Sequence, residues 1–236
     1  MGTCHIEYSI NKTYTVNAYD FDVVNERLVN FEIGLGSLEV TGDPTSTDVF
    51  VVDSHYSDSW GEPIITQEYS NQRLSIFFSQ KDNHSFGFPQ SPDYHVDLGA
   101  TDIQSSFIFD VGAGSATVDV ESLTIDTITA KVGLGSFEIN LPRSIRGSIA
   151  LDVGLGSAKI SIPDTSGFKV KYSVGAGQLA IDGNDVATIG SDGVYTSNDY
   201  DGSTSTIDFT IDVGLGSVSV ERMVNSENDF KGGELQ

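Results

Sequence analysis

The residues best suited to bind a metal ion in this chain are a group of aspartates towards its carboxyl end. Offsets one, three, five, six and twelve of a calcium-binding loop are occupied, in that order, by Ser197, Asp199, Asp201, Gly202 and Asp208. Ser197 at the first offset and Asp208 at the last are not the usual ligands there, which are aspartate and glutamate. We therefore favour a solvated acidic loop and keep a weak calcium site as the alternative, and we expect no other metal site and no cofactor.

The remaining chemically capable residues do not form a catalytic pattern. His55, His84 and His95 lack the spacing of zinc ligands. The chain contains several G-x-G phrases, but each is followed by a strand pattern rather than by the helix that a dinucleotide-binding fold requires. We expect the acids that precede three of these phrases to form a ladder rather than the acid and base of a polysaccharide-cleaving enzyme: Asp110, Asp152 and Asp212. The sequence therefore predicts a protein without catalytic residues.

Aromatic residues are concentrated in two segments of the first hundred residues. Tyr56 and Trp60 lie in one segment, and Phe86, Phe88 and Tyr94 lie in the other. Such side chains combine a large contact area with polar tips, so they could form a platform for sugar rings or a partner chain. The interpretation that we favour is that they close the apolar end of the fold.

The elements that must position these residues are set by a repeated phrase, an apolar residue followed by Gly-x-Gly and then Ser or Gln. Six copies occur, and four of them follow one another at intervals of 21 residues, beginning at Gly112. A fixed period near 20 residues is typical of one supersecondary unit stacked on itself. The paired glycines are Gly34 and Gly36, Gly112 and Gly114, Gly133 and Gly135, Gly154 and Gly156, Gly175 and Gly177, and Gly214 and Gly216.

Apolar residues alternate with polar ones on both sides of each glycine pair. In the copy at Gly112 they are Phe107, Phe109 and Val111 before the pair, then Ala116 and Val118 after it, in the opposite phase. Alternation with period two predicts half-buried strands, and the change of phase requires a bulge or corner at the glycines. We therefore predict an all-β fold, a β-solenoid of the single-stranded β-helix type with 21-residue coils and an irregular β cap at the amino end.

Stacking in chain order makes specific predictions about neighbouring side chains. Glu138 and Lys159 should lie side by side on neighbouring strands, where their opposite charges attract each other. One outer ladder should contain Asp110, Lys131, Asp152 and Ser173, and a column of hydroxyl groups should contain Ser115, Ser136 and Ser157.

The sequence falls into three stretches. Residues 1–106 form an amino-terminal β region and cap that includes the first repeat copy, 107–222 form the repeat region with an excursion at 188–207, and 223–236 form a polar tail. The size range of all-β domains favours one continuous domain.

Charge and cysteine content limit the partners. The formal net charge of −22 repels nucleic acid and anionic lipid, and no apolar stretch is long enough to cross a bilayer. The single cysteine, Cys4, excludes an intrachain disulfide. Its place near the amino end would suit the lipid-bearing first residue of a lipoprotein, which would then be the only membrane contact.

The repeat copies resemble a known family. The copies at 107–118, 128–139, 149–160 and 209–220, with Leu141-Pro142 and Ile162-Pro163 after the strands, are similar to the bacterial and archaeal "putative adhesin" domains, also called toast-rack domains. Related sequences occur in the carboxyl-terminal domain of cell-wall-active antibiotic response proteins. The resemblance spans roughly residues 24–222 and implies a stacked β architecture, a surface or envelope location and no catalytic residues to transfer.

These observations together predict a non-enzymatic, extracellular or envelope protein that acts in adhesion, in surface assembly or as a structural spacer. The alternative is an envelope-stress sensing or regulatory module that binds a membrane partner. The expected partner is a protein or polysaccharide at the cell surface. Strand edges left at the ends of a stack also predict end-to-end self-association.

Overall fold

The structure is a computed structural model that describes residues 9–80, 91–143, 145 and 147–223. Apart from two short 3-10 turns, Ala18–Asp20 and Tyr200–Gly202, its regular elements are strands. They are β1 (Ser9–Asn17), β2 (Glu26–Ile33), β3 (Ser37–Gly42), β4 (Asp48–Ser57), β5 (Ile64–Ser70), β6 (Arg73–Ser79), β7 (Asp93–Leu98), β8 (Gln104–Val111), β9 (Ser115–Asp119), β10 (Ile125–Val132), β11 (Ser136–Asn140), β12 (Ser148–Val153), β13 (Ser157–Pro163), β14 (Gly167–Val174), β15 (Gln178–Ile181), β16 (Asn184–Ala187), β17 (Ser191–Thr196), β18 (Thr206–Val213) and β19 (Ser217–Met223).

The strands form two mixed sheets that face each other across one apolar core. The first sheet has the order β1-β4-β7-β3-β9-β11-β13-β19-β15-β16, and the second has the order β17-β14-β18-β12-β10-β8-β2-β6-β5. Strands that precede a glycine pair lie in the second sheet and strands that follow it lie in the first. The chain therefore passes from one sheet to the other at each corner, which accounts for the change of phase in the apolar pattern. The predicted all-β class is confirmed.

The interval of 21 residues corresponds to one step between neighbouring strands in the middle of each sheet. In the second sheet Val132 lies between Val111 and Val153 in parallel register. In the first sheet Glu138 lies opposite Lys159, as predicted. The ammonium group of Lys159 nevertheless pairs with Glu221 on its other side, at 3.0 Å.

The prediction that copies stack in chain order is wrong at the carboxyl end. β18 lies between β12 and β14, so Asp152 is next to Asp212, and Asp212 rather than Asp152 is next to Ser173. The other edge of β14 is occupied by β17, which pairs with it antiparallel. The last copy therefore enters the sheet between two earlier ones, and the structure does not show one uniform run of 21-residue coils.

The amino-terminal end is also closed by antiparallel strands. β6 pairs parallel to β2, and β7 pairs parallel to β3. The sequence between β6 and β7 nevertheless lacks the glycine phrase. β4, β1 and β5 then add antiparallel strands outside them. The turn from β5 to β6 is a tight hairpin in which Asn71 and Gln72 have φ of 52° and 64°, the left-handed values that two-residue hairpins need. Residue 106, the predicted boundary, lies inside β8.

The core contains stacked aromatic rings and one buried charge. Phe31 and Phe109, on neighbouring strands, are parallel with centroids 5.2 Å apart. Arg27 is 1% exposed and donates to the carbonyl oxygens of Val49 at 2.6 Å and Gly99 at 3.0 Å. Burial lowers the pKa of this guanidinium to about 10. Arg27 thus ties the loop after β7 and the start of β4 to β2.

Candidate functional site

The backbone of the glycine corners forms a continuous hydrogen-bonded column. The amide of Leu134 donates to the carbonyl oxygen of Gly112 at 2.8 Å, and the amide of Leu155 donates to that of Gly133 at 2.8 Å. The amide of Leu215 donates to that of Gly154 at 2.7 Å. Because these bonds join neighbouring parallel strands, successive corners are held at the inter-strand distance of about 4.8 Å.

The second glycine of each pair is required by the closeness of the neighbouring backbone. A Cβ atom placed on Gly135 would lie 2.0 Å from the carbonyl oxygen of Gly114, and one on Gly156 would lie 2.3 Å from that of Gly135. Of the corner glycines, all of which the structure describes, Gly36 alone has a φ in the left-handed region, at 102°. At the other corners, close approach is therefore the main reason for glycine.

The residue between the two glycines faces solvent. Leu134, Leu155 and Leu215 are 66%, 55% and 61% exposed, and they occupy three successive corners. Ala176 follows Leu215 at the next corner. Three neighbouring leucines exposed to this extent form a row that the packing of the core does not explain.

This row forms one wall of a shallow groove. The loop between β16 and β17 borders the same groove with Ile189, which is 75% exposed. The loop is held in place by the amide of Gly190, which donates to the carbonyl oxygen of Gly175 at 2.7 Å. The groove has a volume of about 770 Å³. We call the surface formed by Leu134, Leu155, Leu215, Ala176 and Ile189 the corner groove.

A glutamine side chain begins the column at its amino-terminal end. The side-chain oxygen of Gln80 accepts hydrogen bonds from the amides of Gly34 at 2.8 Å and Leu35 at 2.9 Å. It takes the place of the glycine carbonyl that a preceding corner would supply. Sequence reasoning missed this residue, because it lies outside the repeated phrase.

Polar columns flank the corners on both sheets. The predicted column of hydroxyl groups is present in the first sheet and extends beyond the predicted members: Ser37, Ser115, Ser136, Ser157 and Ser217. On the second sheet the exposed residues nearest the corners are mainly acidic: Glu32, Asp110, Lys131, Asp152 and Asp212. Ser157 and Ser217 line the groove itself, whereas the mainly acidic ladder lies outside the groove, on the other side of the leucine row.

The acidic ladder does not have the setting of a paired acid and base. Asp152 and Asp212 are neighbours in register, but both are exposed on the outer face of the sheet. A catalytic acid usually needs a pocket that keeps its proton at neutral pH.

The aspartates proposed as a weak calcium site have other partners. Asp199 accepts a hydrogen bond from the guanidinium of Arg222 at 2.8 Å, and this contact lowers the pKa of its carboxyl group. Asp208 accepts a hydrogen bond from the hydroxyl of Tyr200 at 2.9 Å. Asp201 is exposed at the same turn. This arrangement joins the stretch before β18 to β19.

The predicted aromatic residues lie largely in the interior where the structure describes them. Tyr56 is 3% exposed and Tyr94 is 2% exposed, and Tyr94 meets the ring of Phe78 edge-on at 4.9 Å. Burial raises the pKa of the Tyr94 hydroxyl. Trp60 is half-buried. Phe86 and Phe88 lie outside the described residues.

The histidines are separate from the corner groove. His95 lies on the outer face of the first sheet, 3.3 Å from Glu39 and 3.2 Å from Asp97. His55 contacts Ser9 at 3.0 Å, and His84 and Cys4 lie outside the described residues. In the described ranges, no three His, Cys, Asp or Glu side chains are grouped so that they could hold a metal ion.

Within the part of the chain that the structure describes, no helix is long and apolar enough to cross a membrane.

The fold is shared with a solved bacterial protein. A crystal structure described as a "putative cell adhesion protein" from Clostridium sporogenes matches with a TM-score of 0.77 and 18% identity, covering 92% of this chain and 100% of that one. A "putative adhesin" from Bacteroides fragilis matches with a TM-score of 0.35 and 11% identity over 90% of this chain and 97% of that one. The comparison with curated proteins gives no match.

Residues 7–163 match the family described as the N-terminal domain of toast_rack, DUF2154. The match covers more than half of the sequence and includes the corners from Gly34 to Gly156. The chain therefore belongs to the toast-rack family, as the repeated glycine phrase suggested.

Proposed function

We propose that this chain is a non-enzymatic, adhesin-like protein of the cell surface or envelope and that the corner groove is its contact surface. The observation that carries the proposal is the row of Leu134, Leu155 and Leu215, which are exposed at successive corners while the apolar residues of the flanking strands are buried. Exposed apolar patches on monomeric proteins are often interaction sites.

The rigidity of the corner favours binding over catalysis. The leucines are fixed by backbone hydrogen bonds at three successive corners, so the surface is formed before a partner arrives. A preformed surface reduces the entropy that is lost on association. The groove is lined mainly by Leu, Ala, Gly and Ser, side chains suited to contact rather than to proton transfer.

The fold supports the same proposal. A protein of known structure that shares it is described as a "putative cell adhesion protein". In the middle of the two sheets, successive copies advance by one strand for every 21 residues, in the manner of a solenoid. We propose that this stack serves as a stiff spacer that holds the corner groove away from its point of attachment.

A bead assay tests the proposal. Fluorescent beads coated with the chain are incubated with bacterial cells, and retained beads are counted after washing. We expect retention by the wild type and loss of most of it in the triple variant Leu134→Ser, Leu155→Ser, Leu215→Ser.

The matched control removes exposed apolar residues elsewhere. Ile64 and Val194 are 52% and 57% exposed on the two edge strands of the second sheet. The variant Ile64→Ser, Val194→Ser should retain beads as the wild type does. Full retention by the triple leucine variant would show that the corner groove is not the contact surface.

A further inference from the structure

We infer that the corner groove binds a basic amphipathic α-helix of a partner protein. The inference rests on the proposed function of the groove and adds the chemistry of its partner. It follows from two independent features, the spacing of the leucines and the sign of the surrounding charge.

The spacing of the leucines fits a helix laid along the row of corners. Three leucines on successive strands span about 9.6 Å, two intervals of about 4.8 Å. Two turns of α-helix rise about 10.8 Å, so an apolar stripe on a helix stays within about 1 Å of this row. An extended strand repeats each face after about 6.7 Å, and it would be out of step by about 4 Å over the same row. Helices that bind in grooves commonly use such stripes.

The charge around the groove selects a basic helix. Beside the leucine row, the exposed ladder on the second sheet contains Lys131, Asp152 and Asp212 at the three corners. Asp192 continues this ladder on β17, beyond Ser173, so its charge is negative although it includes one lysine. Asp185, on the opposite wall, lines the groove itself. Lysine or arginine residues on either side of a leucine stripe would face these carboxylates, and the net charge of −22 would steer such a helix towards the protein.

The same charges disfavour two other occupants. A second copy of the chain would bring its own Asp152 and Asp212 against those of the first, and like charges at a contact are unfavourable. An anionic membrane would meet the same repulsion. A basic helix is therefore the occupant that satisfies both the apolar row and the acidic rim.

The test uses a synthetic helical peptide of about 14 residues with leucines at i, i+3, i+4 and i+7 and lysines elsewhere. Fluorescence anisotropy of the labelled peptide measures its affinity. We expect the variant Leu155→Ser, Leu215→Ser to bind at least about tenfold more weakly, because each leucine loses its buried apolar contact. We expect Asp152→Asn, Asp212→Asn to weaken binding and to reduce its dependence on salt.

Three controls make the outcome specific. A scrambled peptide of equal composition lacks the stripe, a peptide with glutamate in place of lysine reverses the charge, and the protein variant Ile64→Ser, Val194→Ser leaves the groove intact. Binding should be lost with either peptide and kept by this variant. Unchanged melting temperatures of the corner variants, whose side chains are exposed, would show that they fold.

Several results would overturn the inference. Equal binding of the scrambled peptide would indicate attraction by charge alone, and unchanged binding by the leucine variant would place the helix elsewhere. Sedimentation that showed a dimer abolished by Leu155→Ser, Leu215→Ser would identify a second copy as the occupant. If the beads need the leucines but the peptide does not bind, the proposed function stands and the helical partner is wrong.

Discussion

At each corner the second glycine lies against the neighbouring backbone, and the residue between the glycines faces water. The contact distances leave no space for a side chain at Gly135, whereas Leu134 beside it is 66% exposed. Conformational freedom and close approach are separate reasons for glycine. At most corners of this protein the second reason is the important one, so the same spacing that excludes a Cβ also brings the leucines into a row.

We predict that Gly135→Ala destabilises the protein by more than about 2 kcal/mol. The added Cβ would lie 2.0 Å from the carbonyl oxygen of Gly114, and backbone atoms on both strands would have to move. Urea unfolding followed by circular dichroism measures the change. The control is Gly202→Ala, because a Cβ at Gly202 meets nothing within 4 Å. Equal stability of the two variants would contradict the close packing of the corners.

Part of the site could be predicted at the level of single residues. The sequence places Leu between the glycines in four of the six copies, and the phase of the flanking strands already turns this position outward. That signal was available, although sequence reasoning turned instead to Tyr56 and Tyr94, which are buried. Gln80 gave no signal, because its role depends on a contact across 46 residues of chain.

At the scale of strands, the alternation of apolar residues was sufficient to predict the elements but not their order. Every copy presents the same buried pattern to its neighbours, so β18 fits beside β12 as well as it fits beside β14. In the structure β17 pairs antiparallel with the outer edge of β14 and forms the edge of the sheet, and β18 lies on the inner side of β14. The residues of β17 and the turns beside it are rich in turn-forming types, so the sequence predicts an excursion there and not an edge strand.

The last strand is tied to the excursion by an ion pair whose strength should depend on pH. Arg222 lowers the pKa of Asp199 below its ordinary value of 3.8, so the pair stabilises the fold above that pH and is lost as the pH falls through the lowered value. We predict that Asp199→Asn reduces stability at pH 7 by less than about 1 kcal/mol, since the pair is partly exposed. The difference from the wild type should be smaller at pH 2 than at pH 7, because protonation of Asp199 removes the ion pair.

Thermal unfolding at the two pH values measures this effect. Asp201→Asn, at an exposed neighbouring aspartate, is the control and should behave as the wild type at both values. A deficit of Asp199→Asn that persists unchanged at low pH would show that the ion pair is not its cause.

For the whole molecule, end-to-end association remains a prediction that depends on the edges of the two sheets. These edges are β1 and β16 in the first sheet and β5 and β17 in the second. β1 is long enough, at nine residues, to pair with another chain, whereas β16 has four. The net charge of −22 opposes any such contact at low salt.

We predict a monomer at low ionic strength and end-to-end oligomers at high protein concentration in about 1 M salt, where charges are screened beyond about 3 Å. Sedimentation velocity at both ionic strengths measures this. Replacing Thr13 in the middle of β1 by proline would reduce the association, because proline disrupts strand pairing. A monomer under all conditions would rule out the end-to-end contact.

The most direct test of the account is to map the contact surface in solution by methyl NMR of leucine-labelled protein. Surface material released from the cells that retain the beads is added, and the shifts of individual leucines are followed. If the corner groove is the contact surface, the shifts should change mainly at Leu134, Leu155 and Leu215, and Leu28 on the outer face of the second sheet should be unaffected. Changes confined to the sheet faces or to the amino-terminal end, with the three corner leucines unchanged, would contradict it.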